Sequence, residues 1–370
     1  MINKFAGLLI AAFLSFISVS WAATITKSIG TSSRDYSTVT AWEADHADNV
    51  IYNDLDIALG EMYADSDFDE NVLINSGFLD FGGGNITITL SVVAADRHDG
   101  TSQSSNARFV MSTAKDIEVN AASTLDTTLQ WIDVDFGSQN ITRGIDLEEQ
   151  TGNHFVKNIL AHNQTRTAGL TFVQVREDAT ILNSIFYDLL DSSGTADATG
   201  IIGTSQAAAE VLKIQNVTIH DITNDGTSGD ARGLTADDDA TTTVQNVVIT
   251  QVDGTATGTD TCFLTSAPAN ATYDHNAASD TTASGTGSLD SITTANQYVS
   301  TTVGSEDLHI QDTAADIFEA GADFGTTDGV NFDIDNYDRD AGATTWSMGA
   351  HDGNNLRAGG IKKGLVIMVT

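Results

Sequence analysis

A single cysteine, Cys262, stands among the 370 residues, so an exported form of this chain has no internal disulfide framework and must be held by packing and hydrogen bonds. Its setting, Thr-Asp-Thr-Cys262-Phe-Leu, is a β-forming run with no histidine-bearing signature, which marks a buried structural thiol and not a nucleophile. Proline is equally scarce, at one residue, and no Pro-rich or Gly/Ser-rich linker divides the chain, so one continuous body is expected. Basic residues are few: 16 Lys plus Arg face 51 Asp plus Glu, and the net charge of −35 is spread along the chain. Such a surface repels nucleic acid, anionic lipid and uronate polymers unless cations intervene, which argues against nucleic acid as a partner and suits saline surroundings. No His/Cys spacing matches a zinc site, and Gly82-Gly-Gly84 lacks the Lys-Ser/Thr and the following helix of a phosphate loop.

What is present begins with Met1-Ile-Asn-Lys4, the apolar run Phe5 to Val19, and Ser20-Trp-Ala22-Ala23. One cation, an apolar stretch and a small-x-small end read as a secretory signal peptide over residues 1–23, cleaved after Ala22 or Ala23. The protein is therefore expected to be secreted, extracellular or at the cell surface. The closing Ile361 to Thr370 is too short to span a bilayer and reads as a tail or last strand.

A short pattern recurs four times between Val156 and Gln251: an apolar β-former, one residue, an Asn, then an apolar run. The asparagines are Asn158, Asn183, Asn216 and Asn246, at steps of 25, 33 and 30 residues, the window of a solenoid repeat. Gly followed by an apolar residue forms a second column at Gly144, Gly169, Gly200 and Gly233. The runs are short, β-branched and broken by Gly, Asn, Asp and Thr, so the repeat unit is β and not helical. Apolar residues fall two before the Asn and mostly one and three after it, and a period-two alternation that changes phase means a bend. Asn tolerates the left-handed conformation such a bend needs, and stacked amides bond from coil to coil.

On these residues the chain resembles the right-handed parallel β-helix of the pectate-lyase type, in which an asparagine ladder lines a tight turn between two parallel sheets. The resemblance covers most of the chain after the signal peptide. It implies an all-β fold, a right-handed parallel β-helix (solenoid) with a short N-terminal capping helix and a C-terminal cap, and it implies no particular activity. Arg34-Asp-Tyr36-Ser-Thr38-Val-Thr40-Ala-Trp42-Glu43 resembles an N-terminal segment of secreted and phage-borne β-helix proteins of unassigned activity. Thr40 and Glu43 have capping-box spacing, and Val39, Trp42 and His46 share a helical face that suits a cover for the open first coil. Asp333-Ile-Asp335-Asn-Tyr-Asp338-Arg339 and Trp346-Ser-Met-Gly349-Ala350 resemble the closing segment of exported bacterial β-helix proteins, with Asn336 where Gly is usual and His351-Asp352 in place of the acidic end. Arg339 is expected to pair with nearby Asp residues, and Trp346 to cover the last coil. The layout expected is an N-terminal cap over 24–70, coils over 71–300, a C-terminal capping segment over 301–358 and the tail over 359–370.

Four residues after each ladder Asn stand His162, Tyr187, His220 and Thr250, followed by Asn163, Asp188, Asp221 and Gln251. Stacked coils bring His220 and Asp221 beside Tyr187 and Asp188, a set of acids and bases suited to a glycosidic or uronic unit. The plainer reading is a polar row at the end of an exposed strand. Arg97-His98-Asp99 gathers three residue types that catalyse, or it is a loop tip held by an Asp-Gly turn. The acidic clusters Asp65 to Glu70, Asp237-Asp238-Asp239, and Asp333, Asp335 and Asp338 are the places for Ca2+, although none is an EF-hand; solvated loop carboxylates are the simpler account. Thr-x-Thr pairs such as Thr87-Ile-Thr89 do not recur at the coil period in the sequence, which argues against an ice-binding array.

Polygalacturonase-like enzymes carry Asn-Thr-Asp, Asp-Asp, Gly-His-Gly and Arg-Ile-Lys elements, of which only an Asp-Asp pair occurs here. Pectate-lyase-like enzymes need a basic residue beside a Ca2+-neutralised carboxylate, and the repeats offer only Lys157, Arg166, Arg176, Lys213 and Arg232. No catalytic set is complete. The chain is thus expected to be an exported acidic β-helix that presents a structural, adhesive or glycan-binding surface to a polysaccharide, to a cell-surface glycan or to further chains in an oligomer. The alternatives are a polysaccharide lyase or glycoside hydrolase of the same fold, or a viral tail-fibre or spike domain.

Overall fold

Each ladder asparagine is a corner. Asn158, Asn183, Asn216 and Asn246 adopt φ of 52°, 49°, 53° and 53°, the left-handed region that Asn enters more readily than other side-chain-bearing residues. The corner re-phases the strand pattern as the sequence indicates: Val156, Ile159 and Ala161, and their equivalents in later coils, enter the core. The residues two after the Asn, namely Leu160, Ile185, Thr218 and Val248, turn outward. The same corner continues beyond the four asparagines, with Trp131 (φ 63°) one coil earlier and His275 (φ 49°) one coil later.

The computed structural model describes residues 22–48, 52, 55–75, 86–120, 126–137, 139–148, 152–166, 170–192, 195–204, 210–236, 241–254, 257–265, 271–340 and 345–353. Stacking of the coils gives three parallel sheets, so the fold is the expected parallel β-solenoid. The first sheet has nine strands, from Thr24–Ile29 to Ala271–Asp274; the second has seven, from Arg108–Val110 to Ala277–Ala278; the third has seven, from Val72–Asn75 to Asp260–Thr265. The ladder corner joins the first sheet to the second. Among the described residues no helix is long and apolar enough to cross a membrane. The signal-peptide reading lies, except for Ala22 and Ala23, outside the described residues, as do Asp237, Asp238, Asp239 and the 359–370 tail.

Register refines two columns read from the sequence. In the third sheet Gly144, Gly200 and Gly233 align with Phe172, and Gly169 lies outside the described residues. A Cβ on Gly233 would lie 2.7 Å from the Cys262 carbonyl, so the missing side chain is what lets adjacent coils close over Ile249. Cys262 itself is buried, as expected. On the outer face of the first sheet, pairing places Thr26, Thr89, Thr128, Thr180, Thr243 and Thr272 in one row, interrupted by Leu59, Phe155 and Lys213. Variable coil lengths hid that alignment from a constant-period reading.

The helix Val39–Asp48 buries Val39, Trp42 and His46 against the first coil, with Trp42 over Gly60. Its start is capped differently from the expected Thr40/Glu43 box. Thr38 Oγ1 accepts the Ala41 N–H at 3.0 Å, and Glu70 accepts the N–H groups of Val39 and Thr40 at 2.8 and 2.9 Å. A carboxylate from the next coil thus both caps the helix and meets the positive end of its dipole.

After Ala277–Ala278, bridges from Asp274 to Thr286 and from Ala277 to Leu289 add part of a further coil. The chain then folds back. Residues 297–340 and 345–353 lie across the outside of the second sheet, where Tyr298, Leu308, Ile310, Ile317, Ile334 and Met348 cover Leu160, Ile185 and Val248. Each of those covered aliphatics contributes about 1.5–3 kcal/mol, which explains why this sheet is apolar on both faces. The ladder amides fasten the fold-back: Asn158, Asn183, Asn216 and Asn246 donate to the carbonyls of Asp333, Gly329, Val330 and Ala322 at 3.2, 3.3, 2.8 and 2.9 Å. Arg339 is fully buried and donates to the carbonyls of Ser347, Gly349 and Ala350, with Asp352 3.6 Å away. Its pairing with Asp is as expected, whereas Trp346 packs on Leu182 and Val330 at the flank of the stack, not on the last coil.

Candidate binding cleft on the second sheet

The strands that follow the ladder, Leu160–Arg166, Ile185–Asp191, Thr218–Asn224 and Val248–Asp253, are each broken by one more left-handed residue. These are Asn163 (φ 58°), Asp188 (57°), Asp221 (53°) and Gln251 (55°), a second corner column in register with the first. Asn and Asp suit the position for the reason given at the ladder. Strain of this kind concentrates at functional sites.

The row just before this corner is not an exposed strand end. His162, Tyr187, His220 and Thr250 are 4%, 5%, 1% and 0% exposed, because the fold-back lies over them. His220 meets the edge of Tyr298 with ring centroids 5.8 Å apart, and its Nδ1 is 2.9 Å from Thr250 Oγ1. Burial pushes its pKa down to about 4, so it is a neutral packing residue. At His162 and Tyr187 the cover opens, and the turn 302–306 overhangs two adjoining hollows that share Asn163. The larger, about 310 Å³, is lined by Asn163, Thr165, Asp188, Leu190, Asp221 and Val303. The smaller, about 190 Å³, is lined by Ser102, Asp135, His162, Asn163, Tyr187 and Glu306. The larger falls at the low end of the range for small-ligand sites, about 300–1,000 Å³.

His162 and Tyr187 stack with centroids 5.0 Å apart. His162 Nε2 is 3.1 Å from Asp133 Oδ1, and the other oxygen of the fully buried Asp133 accepts Ser102 Oγ at 2.8 Å. Burial alone would lower the His162 pKa, but the bond to Asp133 and the charges of Asp133, Asp135 and Asp188 raise it above the ordinary value. Nothing among the described residues bonds His162 Nδ1 or the Tyr187 hydroxyl, and both rings line the cleft. Burial first, then Glu306 and Asp221, push Asp188 up to about 7; Asp188 Oδ2 is buried with no donor on it.

The cleft thus brings together His162, Tyr187, Asp188 and Asp221 of the expected residues and leaves His220 in the covered interior. Arg97, His98 and Asp99 stand apart from it. Arg97 lies over Trp131 at 4.7 Å, His98 Nε2 donates to the Asn158 carbonyl at 2.8 Å while its Nδ1 accepts the Gly100 N–H, and Asp99 accepts Thr101 in a tight turn. These residues hold the loop to the ladder.

Asp333 accepts the backbone N–H groups of Asp335, Tyr337 and Asp352 at 3.0, 2.8 and 3.2 Å, and Asp338 accepts Asn331 and Asp340. Asp335 instead lies 3.0 Å from His309 Nε2 and 3.5 Å from His351 Nε2. One ligand atom each of His309, Asp335 and His351 falls within 4.8 Å of the others. His351 Nδ1, however, accepts the N–H groups of Ile310 and Gly353, which puts its proton on the nitrogen facing Asp335. Asp335 thus lies between two imidazoles, bonded to His309 and in ion-pair range of His351.

Asp135, Ser102, Val303 and Glu306 were not among the sequence candidates. Asp135 was legible, since it sits one coil before His162 in register, but Trp131 in the ladder position conceals that coil. Ser102, Val303 and Glu306 arrive from distant loops and carry no local signal. Compared with protein-family models, with curated proteins and with solved structures, the chain matches none.

Proposed function

We propose that the chain is an exported glycan-binding β-solenoid whose binding site is the cleft between the second sheet and the turn 302–306. The observation that carries this reading is the pair His162 Nδ1 and Tyr187 hydroxyl: polar tips without partners among the described residues, on side chains otherwise more than nine-tenths buried, at the wall of a groove that runs across successive coils. These tips are free to bond a ligand in the cleft, and sugar hydroxyls, each both donor and acceptor, suit a wall of hydroxyl, imidazole, amide and carboxyl groups. Leu190 and Val303 supply the apolar patch on which a sugar face can rest. A glycan array probed with the protein and with Ser305→Trp, which fills the smaller hollow from an exposed position, tests the reading. Glycans held by the parent and lost by the variant support it; identical profiles refute it.

A second reading, hydrolysis of the bound glycan, is favoured by Asp188, whose pKa of about 7 lets it carry a proton at neutral pH as a general acid does. Release of reducing ends by the parent and not by Asp188→Asn would establish it.

A further inference from the structure

We propose that the cleft takes an oligosaccharide of 2-amino-2-deoxy sugars with free, protonated amines; this deepens and rests on the glycan-binding reading above. Four carboxyl groups, from Asp135, Asp188, Asp221 and Glu306, face the joined hollows, and among the described residues no Lys or Arg lines either one. Asp188 and Asp221 occupy equivalent places in successive coils, so a chain laid along the coil axis meets them in turn. Asp188 Oδ2 is buried without a donor, and an ammonium group supplies three. Anionic glycans are repelled by the same charges. A single metal ion is a poorer fit, because among the described residues only His309, Asp335 and His351 gather three ligand atoms within 4.8 Å, away from the cleft. His162 Nδ1 and the Tyr187 hydroxyl remain for the sugar hydroxyls, and His162, paired with the buried Asp133, leaves the net charge of the cleft negative.

The elevated Asp188 pKa gives the proposal a signature. An ammonium ion favours the ionised carboxylate, so binding releases a proton from the protein, and affinity rises from about pH 5 to about pH 6 as Asp188 begins to ionise while the sugar amine still holds its proton. The full-length protein is titrated calorimetrically with a short free-amine glucosamine oligomer, its fully N-acetylated counterpart and a galacturonate oligomer, in buffers of different ionisation enthalpy. The free-amine oligomer is expected to bind best, with proton release, and to weaken as salt rises from about 0.05 to about 0.5 M. Asp221→Asn and Glu306→Gln should each reduce its affinity about tenfold. The paired change Asp312→Asn with Asp323→Asn, which removes charge from exposed loops, should leave it unchanged. If the N-acetylated oligomer binds as tightly and Asp221→Asn has no effect, the amine proposal fails while glycan binding stands. If the loop variant weakens binding as much as the cleft variants do, the attraction is general surface charge and the proposal fails as well. If no oligomer binds, the glycan-binding reading fails with it.

Discussion

Replacing Asn216 with Leu tests the ladder at the member bonded to ladder amides on both sides. Its Nδ2 donates to Asn183 Oδ1 at 3.1 Å and to the Val330 carbonyl at 2.8 Å, and its Oδ1 accepts Asn246 Nδ2 at 3.0 Å. The residue is fully buried at φ 53°. A leucine at that φ costs about 1–2 kcal/mol in backbone strain. Loss of three hydrogen bonds, with the Val330 carbonyl and the Asn183 oxygen left dry, adds about 2–3 kcal/mol, since Asn246 keeps its bond to Ala322. The expected total is about 3–5 kcal/mol. Asn216→Gly removes the strain and keeps the loss of bonds, so it should be milder by about 1–2 kcal/mol. Urea unfolding followed by tryptophan fluorescence measures both, and Trp346, packed on Val330, reports directly on the fold-back that Asn216 holds. A Leu variant within about 0.5 kcal/mol of the parent, or a Gly variant worse than the Leu variant, would refute the ladder's role.

His220→Ala empties a site closed by Tyr298 and Thr250 and should destabilise by about 2–3 kcal/mol in the same assay. His309 is buried, which disfavours its charge, but its bonds to Asp307 and Asp335 outweigh that and raise its pKa to about 11. Its stabilising charge is therefore fully present below its unfolded pKa of about 6.5 and is lost as pH rises toward 11; a thermal-melt series from pH 6 to 11 should fall more steeply for the parent than for His309→Gln. Burial raises the Cys262 thiol to about 12, so a maleimide should label it only after denaturation.

The solenoid was legible because one residue type answers one backbone need: a strand that must turn without glycine takes Asn, and four asparagines at coil spacing mark the turn. The second corner was written in the same alphabet, as Asn163, Asp188 and Asp221, yet Gln251 and the polar neighbours made it look like surface. The cover was harder to foresee. Leu160, Ile185 and Val248 read as ordinary strand residues, and nothing local tells which of two faces is buried when both are apolar. The cleft therefore had to wait for the fold-back, since its overhanging wall, Val303 to Glu306, comes from a loop more than a hundred residues downstream of His162 and Tyr187.

That long return also governs how the protein is made. Asn158 bonds the carbonyl of a residue 175 positions later, so when the coils emerge during synthesis their outer apolar row has no partner until the last fifth of the chain arrives. A translation product that stops before about residue 297 would display Leu160, Ile185 and Val248 as a sticky stripe along the coil axis, broken only by Thr218, the surface on which two such fragments would pair side by side.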